Sequence, residues 1–218
     1  MQEKHNKNYC ALWIVKHGQT EWNLQGIIQG QKDSNLTELG IKQTEETANK
    51  LKSINFDAIF SSDSGRAIRT AEIIKLDRDI TIQTSKLLRE RNFGKFEGKQ
   101  KYLFQKELKD KIQEREKLTN ENYDKYKLAD DVESNDEVAV RFMIQLREIA
   151  VAYPGKQILI VTHSDCIKNF LIRTGYQERQ DLLKSSFKNG GHIKVLSDGV
   201  NFFIKEVDGI YKKTESGE

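Results

Sequence analysis

Apolar positions along this chain fall in short runs, separated by polar stretches with helical spacing. Residues 9–15 form a run of strand formers closed by Gly18, which predicts a buried strand. Thr37 is placed as a helix N-cap, and Ile41, Thr44, Ala48 and Leu51 follow at helical intervals. A second short strand is expected at 56–60. A helix follows over 64–76, with Ala67, Ile68, Ala71 and Ile74 on one side. Residues 79–84 alternate as a third strand. Helical periodicity returns over 137–153 through Val140, Ile144 and Ala150, and Pro154-Gly155 stops it. Residues 157–162 contain Ile158-Leu159-Ile160-Val161, the clearest buried strand in the chain, and 165–174 read as a helix. Residues 193–196 and 201–207 suggest an antiparallel pair around Asp198-Gly199. Strands and helices alternating in this way imply an α/β fold, a three-layer α/β/α sandwich on a mainly parallel sheet.

One stretch breaks the rhythm. Residues 99–136 are crowded with Lys, Glu, Asp and Asn, and only Phe104, Leu108 and Ile112 make a narrow apolar stripe. The expectation is a charged helical insertion within one domain spanning 9–210, either solvated or lying as a cap over a site. Residues 1–8 read as a disordered tail and 211–218 as a polar tail.

Composition narrows the class. Of the 218 residues, 37% are hydrophobic and 32% charged, and 36 basic against 33 acidic side chains leave a formal net charge of +3. That near-balance argues against a nucleic-acid partner, which selects a concentrated basic face. Cys10 and Cys166 form neither a disulfide framework nor a zinc pattern, and both read as small packed residues of a reducing compartment. No apolar run approaches the ~20 residues of a membrane span, and residues 1–8 lack the apolar core of a signal peptide. The expected location is the cytoplasm, without membrane association.

The chemistry concentrates at strand ends. The histidines are His5, His17, His163 and His192, and two of them directly follow apolar strands. Parallel strands finish on one edge of the sheet, so His17 and His163 can meet there. Arg66, at the start of a helix, and Glu90, shortly after the third strand, reach the same edge. Two imidazoles, a guanidinium, the ammonium of Lys16 and one carboxyl suit an anion and an acid, as phosphoryl transfer requires. Zinc held by two histidines and a carboxylate is the rival, opposed by the cations Lys16 and Arg66.

These residues also carry a resemblance. Lys16-His17-Gly18-Gln19-Thr20-Glu21-Trp22-Asn23, Ile28-Gln29-Gly30 and Leu36-Thr37-Glu38-Leu39-Gly40 occur in order. Ser61-Ser62-Asp63 with Arg66-Ala67 and Thr70-Ala71 follows, then Leu88-Arg89-Glu90 with Phe93-Gly94 and Glu97-Gly98, and Val161-Thr162-His163. In this order and spacing the chain resembles the histidine phosphatase superfamily, in its phosphoglycerate mutase-like branch. The resemblance implies that His17 takes the phosphoryl group, that His163 and Arg66 hold its oxygens, and that Glu90 protonates the leaving oxygen. It places Thr20, Asn23, Gln29 and Gly30 on the phosphate and substrate side, with no metal or other cofactor required. Lys16, Arg91 and Ser164 complete the expected binding set.

Two departures stand out. Lys16 occupies a position that is normally arginine, keeping the charge but not the planar donor fork. Ser164 follows the second histidine where glycine is usual. The expected function is a metal-independent phosphomonoesterase acting on a small phosphorylated metabolite. The alternatives are phosphoglycerate mutase activity and a weakly active phosphate-binding pseudoenzyme. Arg91, Lys95 and Lys99 suggest a second anionic group on the substrate. Trp13, Trp22 and Cys166 read as packing residues, Arg69 as a helix-surface pair, and His192 as a surface or strand residue.

Overall fold

Alternation along β1 (Cys10–Lys16) decides the layering. Leu12 and Ile14 are buried against one set of helices, and Trp13 and Val15 against another. The structure, a computed structural model, describes residues 8–183 and 185–212. The other strands are β2 (Ala58–Ser62), β3 (Ile82–Ser85), β4 (Gln157–Thr162), β5 (Ser185–Ser197) and β6 (Phe202–Lys212). Their order across the sheet is β3-β2-β4-β1-β5-β6, with β3, β2, β4 and β1 parallel to their neighbours. Strand β5 runs antiparallel to both β1 and β6.

The helices are α1 (Glu21–Leu24), α2 (Glu38–Leu51), α3 (Gly65–Lys75), α4 (Lys101–Glu107), α5 (Lys109–Arg115), α6 (Asn120–Lys125), α7 (Asn135–Ala152), α8 (Ser164–Arg173) and α9 (Arg179–Leu183). Helices α2 and α3 cover Trp13, Val15, Leu159 and Val161. Helices α7 and α8 cover Leu12, Ile14, Ile158 and Ile160 on the opposite face. The expected three-layer α/β/α arrangement is therefore present. Burial on both faces explains why β1 and β4 read as continuous apolar runs.

Side-chain caps start two of the long helices, the first as expected. Thr37 Oγ1 accepts from Gly40 N at 2.9 Å and caps α2. Ser134 and Glu137 form a reciprocal capping box at α7. The face of α7 differs from the expectation. Val140 and Ile144 are both 42% exposed, whereas Val138, Phe142, Leu146 and Ile149 are buried. Phe142 and Leu146 offer more apolar area, and the helix turns that side to the sheet.

The antiparallel pair is longer than its sequence pattern suggests. Gly190 and Gly191 and an irregular register between Phe187 and His192 interrupt the alternation within β5. Strand β6 runs on to Lys212, past the expected boundary at 210. Of the expected tails, residues 1–7 and 213–218 lie outside the described residues, and 211–212 belong to β6.

Helices α4–α6 fall in the charged stretch. Phe104, Leu108 and Ile112 pack with Ile28, Phe96, Leu128 and Val132 in a small core separate from the sheet. Residues 98–101 are tied by backbone bonds to Gly26 and Ile28, so the stretch begins docked on the loop that follows β1. Among the described residues no helix is long and apolar enough to cross a membrane.

Candidate active site

The register of β1 on β4 sets the centre. Lys16 pairs with Thr162, so the next residues, His17 and His163, emerge side by side at the strand ends. Their ring centroids are 5.1 Å apart in an edge-on arrangement, and both side chains are buried. Gly18 follows because the loop must press against α2. A Cβ there would collide with Gly40 O and Thr44 Oγ1. Thr70 Oγ1 accepts from Gly18 N at 3.1 Å and fixes the turn.

Hydrogen bonds assign the imidazole tautomers. His17 Nδ1 lies 2.7 Å from Gly18 O, and a carbonyl only accepts, so Nδ1 carries the proton and Nε2 keeps its lone pair. Arg66 Nη2 lies 3.2 Å from His163 Nδ1, and a guanidinium only donates, so the proton of His163 belongs on Nε2. Both histidines are held neutral. Burial drives each pKa well below the ordinary imidazole value, and the charge of Arg66 lowers both further.

Arg66 enters from the first turn of α3 and is 2% exposed. Nη1 donates to Lys32 O at 2.7 Å and Asp33 Oδ1 at 2.8 Å, and Nη2 donates to Gly30 O at 2.8 Å. Its buried Nε has no hydrogen-bond partner among the described residues. Gly30 has a φ of +54°, and the Glu97 carboxylate fills the space a side chain would need.

Glu90 lies on the loop after β3. Oε1 accepts from Arg91 N at 2.9 Å and Oε2 from Asp165 N at 3.4 Å, in the first turn of α8. Burial, then the carboxylate of Asp165, raise the Glu90 pKa to about 7, against the pull of those N–H groups and Arg66. Burial would raise Asp165 too, but Arg91 and Lys168 more than offset it and hold that carboxyl low. One carboxyl of the pair is thereby prepared to carry a proton at neutral pH while the other stays charged. A small open cleft is lined by Gly30, Gln31, Ser62, Asp63, Ser64, Arg66, Arg89, Glu90 and His163; His17 does not line it and packs against the His163 ring.

The remaining expected site residues divide differently. Lys16 Nζ donates to Phe187 O at 2.7 Å and Asn189 Oδ1 at 3.2 Å, so its ammonium is turned toward β5. Burial lowers its pKa to about 8. Asn23 and Thr20 bond each other in the cap of α1, and Gln29 Nε2 donates to Thr20 Oγ1 at 2.7 Å. These three side chains brace the loop after His17. Arg91 pairs with Asp165 at 2.8 Å and donates to Asn135 Oδ1 at 2.6 Å. Ser164 opens α8 directly after His163. Lys95 pairs with Glu107 at the surface, and Lys99 lies over the Phe96 ring, so neither cation lines the site cleft. Arg69 pairs with Glu72, and His192 is a buried residue of β5.

Three important partners lacked a local signal. Asp33 neutralises Arg66, Asp165 sets the charge beside Glu90, and Asn189 donates to His17 O at 3.1 Å. Each lies far along the chain from its partner. The zinc alternative finds no support in the geometry: among the described residues no three His, Cys, Asp or Glu side chains are arranged to hold a metal ion.

Comparison with known proteins identifies the family. Residues 12–208 match the histidine phosphatase superfamily (branch 1). The chain is 34% identical over 161 residues to the uncharacterized phosphatase PhoE of Bacillus subtilis, covering 74% of this chain and 75% of that protein. It is 31% identical over 183 residues to a metal-independent phosphoserine phosphatase of Arabidopsis thaliana, covering 83% and 75% respectively. Among solved structures, Bacillus stearothermophilus YhfR superposes with a TM-score of 0.77 at 26% identity, covering 89% of this chain and 95% of that one.

Proposed function

The chain belongs to the histidine phosphatase superfamily (branch 1), and from that membership we propose that it hydrolyses a small phosphorylated metabolite through a phosphohistidine on His17. The observation that carries the reading is the tautomer of His17. Its proton is tied to Gly18 O, which leaves Nε2 a free lone pair; its pKa is depressed by burial and by the charge of Arg66, and its ring packs against that of His163.

In the first step Nε2 attacks phosphorus, the bond to the leaving oxygen breaks, and Glu90 supplies that oxygen with a proton. In the second, water attacks the phosphoryl group and gives a proton to Glu90. The nitrogen–phosphorus bond breaks and inorganic phosphate leaves. Arg66 and His163 Nε2–H stabilise the equatorial oxygens, and fixed cations do the electrostatic work a metal does elsewhere. The similarity to the metal-independent phosphoserine phosphatase of Arabidopsis supports the same reading. Within this reading Thr20, Asn23 and Gln29 shape the phosphate loop, and Ser164 offers a helix N-terminus. The enzyme works in the cytoplasm, without nucleic-acid or membrane partners.

A specific observation favours slow rather than absent catalysis. Lys16 Nζ donates to Phe187 O and Asn189 Oδ1, and the Nη groups of Arg66 are engaged by Lys32 O, Asp33, Gly30 O and His163, so either cation must exchange a partner to grip phosphate. Release of phosphate from an aryl phosphate tests the reading. Wild type is expected to turn over and His17→Ala to be inert. Equal activity of the two proteins refutes the phosphohistidine route.

A further inference from the structure

Glu90 sits on a segment with no ladder of its own, and side chains from elsewhere take its carbonyls. Arg141, in the middle of α7, supplies most of them. Nη1 donates to Leu87 O at 2.9 Å and Arg89 O at 2.6 Å, and Nη2 donates to Glu90 O at 3.0 Å. Thr162 Oγ1 takes Leu88 O at 2.8 Å, and Cys166 Sγ donates to Arg89 O at 3.0 Å. Four consecutive carbonyls are thus held by α7, β4 and α8.

The guanidinium is itself fixed. Glu133 accepts from Arg141 Nε and Nη2, both at 2.9 Å. The same Glu133 accepts from Asn92 N at 2.8 Å, and its own N–H donates to Asn92 O. Arg141 and Glu133 therefore clamp both sides of Glu90, from Leu87 to Asn92. Both are mostly buried, with side chains 15% and 21% exposed. Charged donors on carbonyls in such surroundings are strong and directional.

We propose that Arg141, braced by Glu133, is the positioning residue for Glu90, aiming its carboxyl at the leaving oxygen. This role rests on the phosphohistidine reading above and adds to it a residue far from the phosphate. Glu90 must place a proton within hydrogen-bond reach of one oxygen, and a loose backbone under a flexible side chain does not. A purely structural role for Arg141 predicts something else, a loss of fold or of all activity in equal measure.

Leaving groups separate the two. A nitrophenolate departs without a proton, whereas an alkoxide needs one. The quantity to compare is kcat/KM, which covers phosphorylation of His17 and not the later hydrolysis. The substrates run from nitrophenyl phosphate through phenyl phosphate to an alkyl phosphate. The variants are Arg141→Ala and Arg141→Lys, each with its thermal unfolding recorded. Lysine keeps the charge but cannot span three carbonyls, so it carries the comparison if the alanine variant does not fold.

The expected result is a fall of about 100-fold on the alkyl phosphate and of less than about fivefold on nitrophenyl phosphate. Glu90→Gln should reproduce the pattern, and adding Arg141→Lys to it should cost little more, because both act through one carboxyl. A uniform fall across the series, or full additivity in the double variant, overturns the positioning role and leaves the phosphohistidine reading standing. A wild type that hydrolyses no member of the series refutes the reading itself, and the role with it.

Discussion

The sheet edge and the stretch 94–132 are built on different principles. At the sheet edge, His17 and His163 are placed by strand register, and Arg66 by the first turn of α3. All three are buried, and their partners are mostly backbone groups or other site residues. The charged stretch instead has three short helices, an independent small core and ion pairs such as Lys95–Glu107 and Lys125–Glu121 on its surface. Such exposed pairs contribute little. The contrast teaches a division of construction: rigid elements hold the site residues, and the charged stretch packs around a small core of its own.

Substitutions at the edge should therefore cut the rate, and substitutions in the small core should leave it nearly intact. The largest effect is expected from His17→Ala, a loss of at least about 10⁴-fold in kcat with an unchanged fold by circular dichroism. A small loss would move the nucleophile elsewhere.

Next comes Glu90→Gln, with a loss of about 10²- to 10⁴-fold on alkyl phosphates. It carries a pH signature. Glu90 serves as the acid only while protonated, and its pKa is raised to about 7. Wild-type kcat/KM on alkyl phosphates should therefore fall as pH rises through about 7, and the Gln variant should lack that limb. His17 sets no competing limb near neutrality, because its own pKa is well below the ordinary value. A limb that survives in Glu90→Gln belongs to another group.

Lys16→Arg is expected to act in the opposite direction. A guanidinium can keep Phe187 O and Asn189 and still present donors to phosphate. The gain in kcat/KM should be about 3- to 10-fold, and an unchanged or lower value would show that Lys16 is not a handicap.

The smallest effect on rate belongs to the other region. Phe104 packs edge-on against Phe93 and Phe96. Phe104→Ala should cost the small core roughly 2–3 kcal/mol by chemical denaturation, while turnover of nitrophenyl phosphate stays within about threefold. A collapse of that turnover would mean the two regions are one unit.

The same division explains what could be read from sequence. His17 and His163 were legible because each ends an apolar strand, and strand alternation and helix caps are local properties. Arg66 and Glu90 were legible by the same edge argument. The direction taken by Lys16 was not, since Phe187 and Asn189 lie 171 and 173 residues away from it. Asp165 was visible only as a helix residue, although its charge helps raise the Glu90 pKa. Val140 and Ile144 misled because periodicity fixes the pitch of a helix, not which of two apolar sides faces the sheet. The core under α4–α6 was half legible: the stripe of Phe104, Leu108 and Ile112 could be seen, but its partners Ile28 and Phe96 lie outside the expected insertion at 99–136.

The central claim is a covalent phosphoryl group on His17. Mixing the enzyme with excess nitrophenyl phosphate, quenching in base within one turnover and mapping the modified peptide by mass spectrometry tests it directly. The account predicts one phosphorylated histidine, His17, whose label is stable in base, lost in acid and more abundant in Glu90→Gln, where hydrolysis of the intermediate is slowed. Phosphate release at full rate with no phosphorylated peptide, or with the label on another residue, would contradict it.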